Sequence, residues 1–258
     1  MRRTSAELKR LSREHLNGHW GFAIGVNLLL GLITSTVLMP FYILLLLSGQ
    51  GMVQFLTYMV AVVIVGAASI VMQCGIVRIY LGFARRQPVT LGMMFREFSK
   101  RSDRYVLGYF LLLAIEFVCI LPGIVCWSIG VMAGMVLAAA IGVILYFAGL
   151  VIVVMVSLRL ALAFILLVDH SDMGIMEAFR ESSQLMEGNK GRLFYIYLSF
   201  LGLSLLGMLS CGIGMFWIMP YITQVGVNFY RDVTGELDQG HSVDQSQISN
   251  ENVNGVFQ

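Results

Sequence analysis

The chain has 258 residues, of which 58% are hydrophobic and only 12% charged, with a formal net charge of +2. Soluble domains carry about 45–50% apolar and about 25% charged residues, so these few charges cannot coat a water-soluble surface and lipid must solvate much of the exterior. At about 20 residues per span the length accommodates one membrane domain of six helices and excludes a second, soluble domain.

Thr4 and Glu7 form a capping-box pattern that opens a short helix through about Leu16. An apolar helix follows from Trp20, an interfacial aromatic anchor, to about Leu47, and a second from about Val53 to Leu81. Ser48-Gly49-Gln50-Gly51 supplies the uncharged turn between them. Pro88 and Thr90 open the next segment, in which Leu91, Met94, Phe95 and Phe98 fall on one helical face while Arg96, Glu97 and Lys100 point elsewhere. That pattern predicts a helix lying in the membrane surface. A third apolar helix runs from about Tyr105 to Leu121 and turns at Leu121-Pro122-Gly123.

The apolar run 131–168 is 38 residues long. As one helix it would measure about 57 Å against about 30 Å of hydrocarbon, so it either projects or breaks, and Arg159 marks the ambiguity. A third amphipathic stretch begins near Ser171-Asp172, with Ile175, Phe179, Ser182 and Met186 along one side. The last two apolar helices span about Leu193 to Leu209 and Met215 to Tyr230, separated by Cys211-Gly212-Ile213-Gly214, with Pro220 kinking the second. From Asp232 onward the chain is polar and reads as a disordered tail, 232–258.

All seventeen Lys and Arg residues fall in four stretches, 2–13, 78–104, 159–192 and position 231, which alternate with three apolar blocks. Each block reads as a helical hairpin, and the positive-inside rule puts the basic stretches and both termini in the cytoplasm. The fold class expected is therefore all-α and polytopic: six transmembrane helices as three hairpins, each preceded by an amphipathic interfacial helix. The domain is 1–231, in units of about 4–81, 88–168 and 171–231. Arg13-Glu14, Phe95-Arg96-Glu97 and Phe179-Arg180-Glu181 recur at spacings of 83 and 84, which suggests a parallel threefold repeat.

Glu116 is the only acidic residue inside an apolar block. An intramembrane carboxylate is costly and marks either a fixed pair or a functional path. If its helix and the next are straight, Glu116 and Arg159 lie at similar depth and pair; a solute or proton path through Glu116, and snorkelling of Arg159 to the interface, are the alternatives. Asn27, Gln54 and Gln73 are scattered and give transport little support. His15 and His19 have metal-ligand spacing but no third ligand, and read as interfacial histidines. Cys74, Cys119, Cys126 and Cys211 read as packing residues, a Cys126–Cys211 disulfide near two outer turns being conceivable. Gly21/Gly25 and Gly130/Gly134 have GxxxG spacing, suited to close packing within the monomer or to a homodimer face. The sequence contains no P-loop, HExxH, G-x-S-x-G or dinucleotide fingerprint. No catalytic residue, cofactor or metal is expected.

Residues 1–19 carry a net charge of +3 and residues 85–104 a net charge of +4. Arg2, Arg3, Lys9, Arg10, Arg13, Arg85, Arg86, Lys100, Arg101 and Arg104 are the candidate contacts for anionic headgroups, each worth about 1 kcal/mol near an anionic leaflet. Positive charge held against a membrane does not suit nucleic acid. The expected partners are lipid, a membrane protein or a second copy of the chain.

The run 177–190, EAFRESSQLMEGNK, resembles a bacterial family of six-pass membrane proteins known as domain of unknown function 975. So do Gly212-Ile213-Gly214, Trp217 to Pro220-Tyr221 and Phe229-Tyr230-Arg231-Asp232, and Glu7-Leu8-Lys9 with Leu16 to Trp20 resembles the family's opening. The likeness covers 1–232. More loosely, Arg159 together with Ser182–Gly188 resembles the membrane domain of some glycerophosphodiester phosphodiesterases, without their catalytic domain. The family resemblance implies a bacterial plasma membrane and no assigned activity. Three readings result: a non-enzymatic lipid- or partner-binding membrane component, a small-solute or lipid-related transporter using Glu116, and a membrane-bound lipid-modifying enzyme.

Overall fold

A computed structural model of the chain describes residues 3–47, 51–99, 102–210 and 212–238, which form ten helices and, among the described residues, no strand. The first, α1 (Ser5–Leu16), begins with the capping box that its sequence announces: the Thr4 hydroxyl accepts from the Glu7 amide, and the Glu7 carboxylate accepts from the Thr4 amide at 2.6 Å. Leu8, Ser12 and Leu16, spaced at one helical face, are its buried side. The long helices α2 (Trp20–Leu47) and α3 (Met52–Ala84) follow. Beyond α3, the amides of Arg86 and Gln87 bond the carbonyls of Phe83 and Gly82, with Arg86 in the left-handed region (φ 54°) where glycine is usual. The turn between α2 and α3 at Ser48-Gly49-Gln50 lies outside the described residues.

The remaining helices are α4 (Gly92–Ser99), α5 (Ser102–Met132), α6 (Val136–Arg159), α7 (Ala163–Asp169), α8 (Ile175–Leu185), α9 (Lys190–Leu209) and α10 (Met215–Val233). They form two compact units. The first takes Met1–Asn27, Tyr80–Val89 and the chain from Gly191; the second takes Leu28–Ile79 and Thr90–Lys190. Five segments are long and apolar enough to cross a membrane: α2, α3, α5, the stretch Val136–Asp169 that holds α6 and α7, and α9. The expected sixth, α10, is shorter at 19 residues and carries Gln224, Asn228, Arg231 and Asp232. The protein is thus an all-α, polytopic membrane protein.

The second hairpin turns later than its Pro-Gly dipeptide suggests. Helix α5 runs straight through Pro122 to Met132, and the chain reverses at residues 133–135, where Gly134 adopts φ +67°. Gly123 is a packing residue: a Cβ there would strike the Tyr146 backbone. Gly130, Gly142 and Gly149 likewise meet the backbones of Ala139, Trp127 and Cys119. Helices in lipid gain little from hydrophobic association, so close approach through small residues is what joins them. The run 131–168 breaks at 160–162, between α6 and α7. There Ser182 of α8 donates to the Arg159 carbonyl (3.0 Å) and accepts from the Leu162 amide (3.3 Å), satisfying backbone groups that the interruption frees.

Helix α4 is oriented differently from its expected amphipathic face. Met94 and Glu97 are buried, whereas Leu91, Phe95 and Phe98 are exposed. Gly75 of α3 lets the α4 backbone approach, since a Cβ there would overlap Met94. Helix α8 buries Ile175, Ala178 and Ser182, with Met186 following; Phe179, expected on that side, is only half-buried and the smaller Ala178 fills its place. At the end of the chain α10 runs to Val233, and Leu237 is buried. Residues 232–238 therefore belong to the folded part, and the rest of the polar tail, 239–258, lies outside the described residues.

Candidate functional site

In the first unit, α1 packs along α10 through a small polar network set in an apolar core. Asn228 of α10 donates to the Ser12 hydroxyl at 2.8 Å, and Ser12 donates to the Leu8 carbonyl at 2.7 Å. His15 Nδ1 lies 3.2 Å from Asn228 Oδ1. Burial lowers the His15 pKa, and the Arg231 charge adds to the effect against the opposing Asn228 contact. His19 stacks on Phe83, with ring centroids 4.9 Å apart. Neither histidine belongs to a cluster of three or more metal-ligating side chains among the described residues.

A second layer of charge ties the start of α1 to the end of α10. Arg192 pairs with Asp232 and also donates to the Arg3 carbonyl, while the Arg3 amide donates to Asp232 at 3.2 Å. Glu236 accepts from Arg85 and from Arg231, each at 2.9 Å. Burial opposes ionisation of Glu236, but the two guanidinium groups outweigh it and hold the carboxyl below its ordinary value. Arg231 also donates to the Ala84 carbonyl at 2.7 Å, so the segment after α3 and the end of α10 are locked together.

The second unit has its own buried centre. Glu97 is fully buried, its carboxylate 2.6 Å from Arg78 Nε and accepting from the Tyr105 hydroxyl at 2.7 Å. Arg78 donates to the Val168 carbonyl at 2.8 Å. Arg104, also buried, donates to the carbonyls of His170, Ser171 and Met173 at 3.2, 2.7 and 3.0 Å. These bonds carry the loop between α7 and α8. Expected as a headgroup contact, Arg104 is instead consumed by that loop, whose carbonyls it gathers onto one guanidinium.

Among the other candidate cations, Arg10 makes an exposed pair with Glu14 at 3.5 Å. Lys9 donates to the Ser199 hydroxyl at 2.6 Å and lies 4.5 Å from the centre of the Phe200 ring. Arg13 and Arg86 are exposed. Arg3 and Arg85 are structural, as above, and Arg2, Lys100 and Arg101 lie outside the described residues. Glu116 and Arg159 are not brought together. Gly123 opposite Tyr146 and Gly130 opposite Ala139 define an antiparallel register. Continued along the hairpin, that register sets Arg159 level with Phe110, six positions and about 9 Å from Glu116. Arg159 bonds the Ser183 hydroxyl instead, and Glu116 is exposed.

Several residues of these centres escape a reading of the sequence. Glu97 sits among charged neighbours and looks solvated. Gln224 is fully buried, and its amide atoms have no hydrogen-bond partner among the described residues. Gln224 and Asn228, one helical turn apart in the mostly apolar stretch before Arg231, were the available signal. Cys126 lies within α5 as a free thiol donating to the Ala138 carbonyl at 3.4 Å, and Cys211 lies outside the described residues. Gly21 and Gly25 meet nothing within 4 Å, so their GxxxG spacing makes no packing contact here.

Long lipid-suited helices, glycine-mediated packing and cations gathered at helix ends define a polytopic α-helical membrane protein. The chain matches the model of the family described as "Protein of unknown function (DUF975)" over residues 1–236, and it belongs to that family. Neither a curated protein nor a solved structure matches it, and the looser likeness to phosphodiesterase membrane domains has no counterpart in these comparisons.

Proposed function

We propose that the protein is a non-enzymatic component of a bacterial plasma membrane that binds anionic lipid at its basic ends, a partner protein being the alternative ligand. In this reading three hairpins, α10 completing the third, cross the bilayer six times and leave both termini in the cytoplasm. The order of a short helix before each long pair supports a threefold repeat. The environments of its recurrent Arg-Glu motifs differ, however: the Glu14 side chain is 58% exposed and that of Glu97 is 0% exposed.

The observation that carries the proposal is α4. It holds to the protein through Met94 and a buried carboxylate while presenting Leu91, Phe95 and Phe98 outward, with Arg96 exposed beside them. An apolar face turned outward next to cations suits the boundary between headgroups and acyl chains. The exposed position of Glu116 gives a solute path through it less support. The test is extraction of the full chain from its membrane with a styrene–maleic polymer, followed by lipid analysis. Anionic lipid enriched over the bulk membrane supports the proposal; a lipid profile equal to the bulk contradicts it.

A further inference from the structure

The first unit carries an apolar groove of about 420 Å³ whose only charged wall residue, among the described residues, is Arg13. Its sides come from α9 and α10, including Leu203, Leu206 and Trp217, with Trp20 and Tyr221 at the end where Arg13 stands. The floor is narrow because Gly207 and Gly214 lack side chains; a Cβ on Gly207 would lie 2.7 Å from Ile218 Cδ1. From Tyr221 to Gly214 the groove follows seven residues of helix, about 10 Å. Leu206 and Trp217 are 64% and 52% exposed, so the groove opens sideways, as a lipid chain would require.

Among the described residues, no anion compensates the charge at the mouth. Lys9 and Arg13 are one turn apart on the same side of α1. Lys9 bonds only a hydroxyl and an aromatic face, Arg13 has no ion pair among the described residues, and Glu14 is occupied by Arg10. Burial, and then the neighbouring Arg13 charge, lower the Lys9 pKa. Trp20 and Tyr221, with ring centroids 6.5 Å apart, are the residue types that favour the interface between hydrocarbon and water.

We propose that this groove is a site for one anionic glycerophospholipid, its phosphate against Arg13 and Lys9 and one acyl chain lying between α9 and α10. The site specifies the lipid-binding reading above and rests on it. A neutral amphiphile would fill the apolar part but leave the two cations unrelieved. A free anion would satisfy the cations but leave the groove empty.

The groove contains two of the three tryptophans, which makes occupancy measurable. The full chain with Trp127→Phe, reconstituted in phosphatidylcholine, is titrated with chain-brominated phosphatidylglycerol or chain-brominated phosphatidylcholine while tryptophan quenching is followed. Phosphatidylglycerol should quench at the lower mole fraction. At about 1 kcal/mol for one cation, Arg13→Gln should weaken that preference about fivefold, whereas Arg13→Lys should retain it. The exposed Arg180→Gln on α8 should leave it unchanged. A preference for phosphatidylglycerol that Arg13→Gln does not alter overturns the groove site while leaving lipid binding elsewhere intact. Equal quenching by the two lipids in the parent protein also overturns the groove site, whereas the broader reading falls only if the lipid extracted with the protein matches the bulk membrane.

Discussion

The α5–α6 hairpin and the packing of α1 on α10 achieve cohesion by opposite means. In the hairpin, Gly123, Gly130, Gly142 and Gly149 bring two backbones into contact, and almost nothing polar joins them. Along α1 and α10, buried leucines, the Ser12–Asn228–His15 network and the ion pairs of Asp232 and Glu236 do the work. The difference follows from the solvent. Where lipid surrounds both helices, shape complementarity and dispersion remain as the main attraction. Where a segment can exclude water, leucine burial and charge pairing become effective again.

The comparison can be broken at its strongest point first. Glu97→Ala removes the partner of Arg78 and the acceptor of Tyr105, and a broken buried pair costs about 3–5 kcal/mol. Thermal unfolding of the purified protein should show the largest loss of the series, and Glu97→Gln, which keeps an acceptor for Tyr105, a smaller one. Gly142→Leu drives a side chain into the Trp127 backbone and should cost about 1–3 kcal/mol. In the same assay Gly21→Leu, which meets open space, should cost much less. Equal losses from the two leucines would remove the argument for glycine packing.

Along α1 and α10 the expected effects are smaller. Thr4→Ala deletes the N-cap of α1 and should lower stability by about 1 kcal/mol. The His15 pKa is lowered in the folded protein, so the unfolded chain binds the proton more readily. Its contribution is complete above the ordinary value of 6.5 and is lost as the pH falls below it. Glu236, also lowered, adds a further loss only below its ordinary 4.5. Melting temperature against pH should therefore decline in two separate windows, and His15→Gln should remove the upper one alone.

The signals that were legible in the sequence were local. The Thr4–Glu7 capping box and the bounds of α2, set between Trp20 and a Gly-containing turn, depend on neighbours within a few positions. The turn of the second hairpin was hidden because Pro122-Gly123 is a stronger local breaker than Ala133-Gly134, and only the facing helix shows Gly123 to be a contact. That shift changed the register, which is why Glu116 and Arg159, level on paper, are about 9 Å apart along the hairpin. Glu97 was hidden for a related reason: Arg78 and Tyr105 belong to other helices, and an isolated carboxylate beside Arg96 looks like surface.

The central claim is that uncharged turns and basic ends lie on opposite sides of a bilayer. In a variant lacking the native cysteines, single cysteines at Ala133 and Gln87 would be exposed to a membrane-impermeant maleimide on intact cells. Labelling of Ala133→Cys from outside, with Gln87→Cys reacting only after lysis, is the predicted result. Labelling of Gln87→Cys in intact cells, or of both positions only after lysis, would contradict the account.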